Sequence, residues 1–309
     1  MRIACVSMTY NDGYKLKEWV SHYQTYKDQL ECFVIVDNGS DDIYKRELME
    51  SFPEAIIIER STNGGCTAAY NDGIRYVLDN ENVDSIAIIG NDVKLTHNCL
   101  GAMHEYLFSD PKMGIVSSAI LNIDSMIVDN YGHTVKGFIV TSCDKGENIN
   151  DITPKRKETE LVSGGFNIAK IEFYKKAGLQ DEKLFMYCDE LDTTFKARKT
   201  GFKMGVIADE YAWHWHINPP GNVGIRHPES RYMISRNRVY LTRKYMGINK
   251  VLSCFIYTGI LAPFKMLLMG MMRKDKSLVV DAKYGFLGAV YGLLGNMKCN
   301  KYSFPIGQR

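Results

Sequence analysis

The chain of 309 residues is 45% hydrophobic with 26 Gly and 8 Pro; it has no repeat, heptad run or low-complexity tract, which excludes disordered, fibrous and solenoid classes and allows one large α/β domain with an appendage. Its net charge of +2 is divided, because from Arg226 onward 15 Lys and Arg face 3 Asp and Glu, leaving 23 against 33 for residues 1–225, and an acidic body with a basic tail points to an anionic surface as partner. Eight cysteines without a C-x-x-C pair argue against a zinc ribbon or redox dithiol and fit a reducing compartment.

The opening "MRIACVSMTYNDG" turns polar too soon for a secretory signal and reads as a first strand. Apolar runs "RIACVSMTY", "CFVIVD", "AIIIER" and "SIAIIG" then alternate with helical patterns, the first being Leu16, Trp19, Val20 and Tyr23. This βαβ alternation predicts a mostly parallel, Rossmann-like sheet flanked by helices, with ligands bound beyond the carboxyl ends of the strands. Those ends read Thr9-Tyr10-Asn11, Asp37-Asn38-Gly39-Ser40, Asn63-Gly64-Gly65 and Gly90-Asn91-Asp92. Each alone is an ordinary turn; four in succession at the ligand edge point to a site. The absence of G-x-G-x-x-G and of a Walker lysine loop argues against dinucleotide and P-loop enzymes.

Beyond Val93 the pattern predicts a helix near 97–108, a strand in "GIVSSAI", an antiparallel stretch in "SMIVDNYGHTVKGFIV" and a polar, mobile loop over 144–160. In "LVSGGFNIAK" the Gly164-Gly165 pair lets backbone approach a ligand closely or makes a tight turn. In "FMYCDELDTTFKARKTGF" the spacing of Leu191, Phe195 and Arg198 predicts a helix from near Asp189 to before Gly201. Asp189 can cap it with Asp192 as a box-like partner. Capping needs one or two acids, so the third, among Asp189, Glu190 and Asp192, leaves a functional reading open. His214 and His216 alternate on a predicted strand with Trp213 and Trp215.

Seven of these stretches occur in the order seen in family 2 glycosyltransferases of the GT-A fold, and the chain resembles that family, especially its bacterial rhamnosyltransferase-like branch, over roughly residues 3–240. "VSMTYN" resembles the strand that holds the base, "VDNGSDD" the acid that reads the nucleoside, and "TNGGCTAAYNDGI" the asparagine-glycine turn. "IIGNDV" takes the place of the D-x-D metal motif, "VSGGFNIAK" that of the acceptor-side segment, "WHWH" that of a metal- or diphosphate-binding histidine, and "YMISRN" matches a common downstream stretch. The resemblance implies a nucleotide-diphosphate sugar donor held by Thr9, Asn11, Asp37, Asn63, Gly64, Asn91, Asp92, Gly164 and Gly165. It also implies Mg²⁺ or Mn²⁺ on Asp92 and a histidine, where spacing favours His214 over His216. By register Glu190 takes the place of the catalytic base, with Asp189 as the alternative. Two departures stand out: Gly90 replaces the first acid of the metal motif, and the usual Glu-Asp pair is reversed as Asp189-Glu190.

An inverting transfer needs a carboxylate to accept the acceptor's proton and a cation to neutralise the departing diphosphate. The division expected is a catalytic domain over 1–240, with a nucleotide-binding half 1–95 and an acceptor-side half 96–240, and a basic helical extension over 241–309. Residues 251–272 are long and apolar but interrupted by Gly259, Pro263 and Lys265, with Arg273, Lys274 and Lys276 following. This predicts a membrane-associating extension lying on the cytoplasmic face of the cell membrane, beside a glycan or lipid-linked acceptor; a soluble helical cap is the alternative. No nucleic-acid partner is expected. The rival functions are a nucleotidyltransferase and a degenerate, non-catalytic assembly subunit.

Overall fold

The computed structural model describes residues 1–215 and 228–297. Twelve strands are found among them: β1 (Ile3–Thr9), β2 (Cys32–Asp37), β3 (Ile56–Glu59), β4 (Ser85–Ile89), β5 (Val93–Leu95), β6 (Met113–Asn122), β7 (Val128–Asn130), β8 (His133–Lys136), β9 (Ile139–Ser142), β10 (Arg156–Thr159), β11 (Phe166–Lys170) and β12 (Lys203–His214). The helices are α1 (Leu16–Tyr23), α2 (Asp42–Ser51), α3 (Gly65–Asn80), α4 (Cys99–Ser109), α5 (Ile171–Ala177), α6 (Asp189–Thr200), α7 (Pro228–Tyr245), α8 (Ile248–Phe255), α9 (Ala262–Arg273) and α10 (Lys276–Leu294).

The main sheet has the order β10-β12-β6-β11-β4-β1-β2-β3, with β5 on β12 and β7 on β6. The pairs β2–β3, β1–β2, β1–β4 and β6–β12 are parallel, whereas β11 is antiparallel to both β4 and β6. The polarity of β11 has a direct consequence for the site. Two reversals place β6 and β12 parallel to β4, so the carboxyl ends of β1, β2, β4 and β12 share one edge with the amino end of β11.

The strands read as apolar runs because both faces are covered. Ile3 and Cys5 enter one core with Trp19, Phe33, Phe52, Leu100 and Met103. Ala4 and Val6 enter the opposite core with Tyr70, Ile74, Val77, Phe173 and Ala197. The period of two along β1 thus serves two helical layers at once.

The stretch 144–160, expected as a mobile loop, is packed instead. Ile149 and Ile152 are buried in a cluster with Leu121, Val128 and Tyr131, and β10 pairs with β12. Its charged residues hid two apolar anchors and a short edge strand.

α8 and α9 are joined by a π-helical segment, Ile256–Leu261, into one helix that folds back through α10. α7 runs through position 240 and supports α10, whose Gly288 and Gly292 lie against the carbonyls of Tyr232 and Arg236.

Candidate active site

The turn after β4 brings Asp92 to the ligand edge, and pairing of β12 with β5 sets His214 opposite Val93. Asp92 Oδ1 therefore lies 3.2 Å from His214 Nε2, although 122 positions separate them in sequence. The other carboxylate oxygen accepts from Lys15 Nζ at 2.9 Å, and the same ammonium reaches Asn91 Oδ1 at 3.3 Å. Asn91 also donates to Asp12 Oδ2 at 2.8 Å. Burial alone would raise the Asp92 pKa, but the His214 hydrogen bond and the Lys15 charge outweigh it and bring it down to about 2.

Two ligands of one Mg²⁺ or Mn²⁺, each at about 2.1 Å and at right angles, stand about 3 Å apart. The spacing of Asp92 and His214 fits such a pair. Among the described residues no three His, Cys, Asp or Glu side chains are grouped to hold a metal, so Asp92 and His214 offer two donors. His216 lies outside the described residues.

At the other strand ends, side chains tie the loops together. Thr9 Oγ1 bonds the Tyr44 hydroxyl. Asn11 has φ 50 and its amide accepts from Asp41 N at 3.0 Å. Asp37 is fully buried and its carboxylate accepts from Ser40 N at 3.2 Å. Asn38 accepts from Gly64 N at 3.0 Å and donates to Asn63 Oδ1 at 3.0 Å.

α6 begins and ends where its sequence pattern predicts, but Asp189 does not cap it. The N-cap is Cys188, left-handed at φ 62 and without a side-chain cap bond. Asp189 is turned inward against Glu190 and Gly164. A Cβ built on Gly164 would stand 2.5 Å from Asp189 Oδ2 and 3.1 Å from Glu190 Oε1, so any larger residue there would displace the acids. Gly165 in turn accepts from Gly90 N at 2.8 Å. The segment Gly164-Gly165 thus adjoins the acid pair on one side and the turn that carries Asp92 on the other.

Burial raises the pKa of both acids. The Glu190 charge raises Asp189 further, well above the carboxylate range, whereas the Gly164 amide and the Asp189 side chain draw Glu190 back down. The pair therefore holds a proton more tightly than free carboxyls do. The third acid, Asp192, is fully buried and structural. It accepts from Tyr245 OH at 2.7 Å and Lys244 Nζ at 3.1 Å and pairs with Lys196 at 2.7 Å.

Sequence reasoning missed what holds the acids in place. The turn before α6 contains three non-glycine residues at positive φ: Phe185 (65), Tyr187 (69) and Cys188 (62). Such conformations persist only where surroundings enforce them. Asn237 Nδ2 donates to the carbonyls of Leu184 (3.0 Å), Met186 (2.8 Å) and Tyr187 (2.8 Å), and Arg236 Nη2 donates to Leu184 O at 2.8 Å. Both side chains are fully buried. The available signal was two polar residues on the apolar stripe of α7, within "YMISRN".

The mixed sheet and its edge site define a GT-A-like fold, seen also in solved structures. GalNAc-T7 with UDP, GalNAc and Mn²⁺ aligns with a TM-score of 0.62 at 13% identity, over 91% of this chain and 55% of that one. The mannosyltransferase PcManGT from Pyrobaculum calidifontis, in complex with GDP-Man and Mn²⁺, gives 0.57 at 15% identity, over 95% and 87%. S. aureus TarS 1–349 gives 0.54 at 12%, over 95% and 89%. Residues 6–180, more than half of the chain, match the model of glycosyl transferase family 2, and the chain belongs to that family. The low-salt glycan biosynthesis hexosyltransferase Agl10 of Haloferax volcanii is 23% identical over 193 residues, and the chain spans 62% of its length.

Proposed function

We propose that this protein transfers a sugar, with inversion, from a nucleotide-diphosphate sugar to a hydroxyl of a glycan or lipid-linked acceptor in surface polysaccharide assembly. The observation that carries the reading is the Gly164-Gly165 segment, which sets a proton-holding acid pair beside an Asp92–His214–Lys15 cluster. Glu190 accepts the proton of the attacking hydroxyl, and Asp189, keeping its own proton, steadies the Glu190 carboxylate. Asp92 and His214 hold Mg²⁺ or Mn²⁺, which when bound neutralises the diphosphate as it leaves. Lys15 supplies a further positive charge at the same place. Thr9, Asn11, Asp37, Asn63, Gly64 and Asn91 shape the donor edge.

On this reading residues 1–95 bind the donor, 96–240 the acceptor, and 241–309 rest on the cytoplasmic face of a membrane. The last point draws on an uncovered apolar face: Leu252, Ile256, Ile260, Leu261, Phe264, Leu268, Met271 and Met272 are exposed. Exposed Lys250, Lys265, Arg273, Lys274 and Lys276 flank it. Ile248–Arg273 and Lys276–Leu294 are each long and apolar enough to cross a bilayer. The packing of α10 on α7 favours a hairpin lying on the surface, because a crossing helix would have to leave that contact.

The test is a panel of nucleotide sugars offered with lipid-linked and soluble glycan acceptors, with and without a chelator. Acceptor-dependent release of nucleoside diphosphate, an inverted anomeric configuration in the product and loss of both with chelator are expected. Release of pyrophosphate in a parallel arm, from a nucleoside triphosphate and a sugar 1-phosphate, would instead indicate a nucleotidyltransferase. No release from any donor would favour a non-catalytic subunit, the reading that Gly90 suggests. Flotation with anionic vesicles checks the membrane contact.

A further inference from the structure

A groove of about 570 Å³ opens between α7, α9 and α10, within the roughly 300–1,000 Å³ usual for ligand sites. Its wall is apolar, built from Ile234, Met266, Met269 and Leu278, and it carries two exposed cations, Arg231 and Lys265. Asp281, the acid among the described lining residues, is buried. An apolar trough with cations at its rim matches an amphiphile with an anionic head. A soluble anion would have no use for the methionines, and a neutral lipid none for the guanidinium.

The groove also adjoins the acid turn. Ser230, on its α7 wall, shares a hydrogen bond with the Tyr187 hydroxyl at 2.9 Å, and Cys188 Sγ lies 3.8 Å from Ile234 O. Tyr187 and Cys188 immediately precede Asp189 and Glu190. The α7 wall of the groove therefore packs, through Ser230, on the turn that precedes the acid pair. The α9 wall also carries exposed Phe264, Leu268, Met271 and Met272, so a chain longer than the groove has a surface to follow.

We propose that this groove binds the phosphate ester of a long-chain alcohol, the lipid part of a lipid-linked acceptor, with Arg231 and Lys265 on the phosphate and the methionine wall on the first segment of the chain. The proposal rests on the transferase reading only for the direction in which the sugar points. Binding of the lipid phosphate itself is independent of catalysis.

The full-length protein in neutral mixed micelles is titrated with dodecyl phosphate carrying a diazirine at the chain end, then photolysed and mapped by mass spectrometry. Crosslinks at α7, α9 and α10 residues of the groove are expected. The double variant Arg231→Gln/Lys265→Gln should weaken binding at least tenfold, and a dodecanol analogue should bind the unaltered protein as poorly. Met269→Trp, which fills the trough and keeps both charges, should remove the crosslinks. Binding within twofold of normal in the double variant, or crosslinks confined to the exposed Leu252, Ile256, Ile260 and Leu261 with none in the groove, would overturn the groove. So would a parallel loss of binding to phosphatidylglycerol vesicles, since the two cations would then serve general attraction to an anionic leaflet. Donor hydrolysis by the unaltered protein is measured alongside; its absence with probe binding intact would sink the transferase reading and leave the groove standing.

Discussion

Asn237→Ala tests whether the strained turn is held for the sake of the acids. The amide of Asn237 spans three carbonyls; without it Leu184 O keeps Arg236 Nη2 at 2.8 Å, while the carbonyls of Met186 and Tyr187 lose their donor. Two partly buried acceptors, together with the buried Arg236 Nε that donates to Asn237 Oδ1 at 2.9 Å, are stranded at about 1 kcal/mol each, and with about 1 kcal/mol more for the space left the loss is about 4 kcal/mol. For a chain of this size that lowers Tm by roughly 5–6 °C. The larger effect expected is on turnover. Phe185, Tyr187 and Cys188 have no local reason to remain at positive φ, and a displacement of about 1 Å at the acids costs on the order of 100-fold in kcat. KM for the donor should change little, because the Asp92 cluster is held by other elements. The pH profile separates this from a general loss of folded protein. Burial raises the proton affinity of Asp189 and Glu190; once the turn relaxes and water enters, that affinity falls, so the acid limb of the rate profile moves to lower pH. A variant with lowered Tm but unchanged kcat and an unmoved acid limb would refute the reasoning.

Glu190→Gln should abolish transfer with donor affinity retained, measured by calorimetry, whereas Asp189→Asn, which can still donate a hydrogen bond to Glu190, should keep part of the activity; the reverse order would give the base to Asp189. Asp92 titrates at about 2 in the fold against an ordinary 3.8, so its ionised form stabilises the protein above pH 4 by about 2 kcal/mol, and that contribution is lost as pH falls from about 4 to 2. Urea unfolding in EDTA should therefore show a shallower decline over that window for Asp92→Asn than for the unaltered protein, and equal declines would contradict it.

The β1–β4 alternation and the limits of α6 were legible because they are local: period two on buried strands, period 3.6 to a glycine stop. That the strand ends gather at one edge was legible because α/β topology brings carboxyl ends together. Other features depend on contacts across long stretches of chain. Lys15 looks like one more polar residue at the start of α1, and only packing brings its ammonium to Asp92. The antiparallel course of β11 carries no mark in "FNIAK", yet it places Gly164 against the acids. Asp189 has the composition of a cap and the position of a first-turn residue; a left-handed Cys188, enforced from α7, turned it inward. Of the three acids that attracted notice, Asp192 proved to be the one with a wholly structural explanation.

That α7 carries both the clamp and the bed for α10 has a consequence for how the tail and the acids communicate. Gly292 lies against Arg236 O and Gly288 against Tyr232 O, where an added Cβ would stand 2.3 and 2.2 Å from those oxygens. Gly292→Ala gains about 1 kcal/mol of helix propensity, yet the clash is with main chain, so α10 must withdraw or α7 must move, at about 1–3 kcal/mol. Either shift reaches Arg236 and Asn237, and through them the carbonyls of residues 184–187. Attachment to anionic vesicles should persist, because the exposed apolar face lies mainly on α8 and α9. Transfer should fall several-fold, with the acid limb of the rate profile moving to lower pH as in Asn237→Ala. The double variant should lose less than the product of the two single losses, because both act on one contact. Strictly multiplicative losses would show that α10 and the acid turn are independent, and the tail would then serve attachment alone.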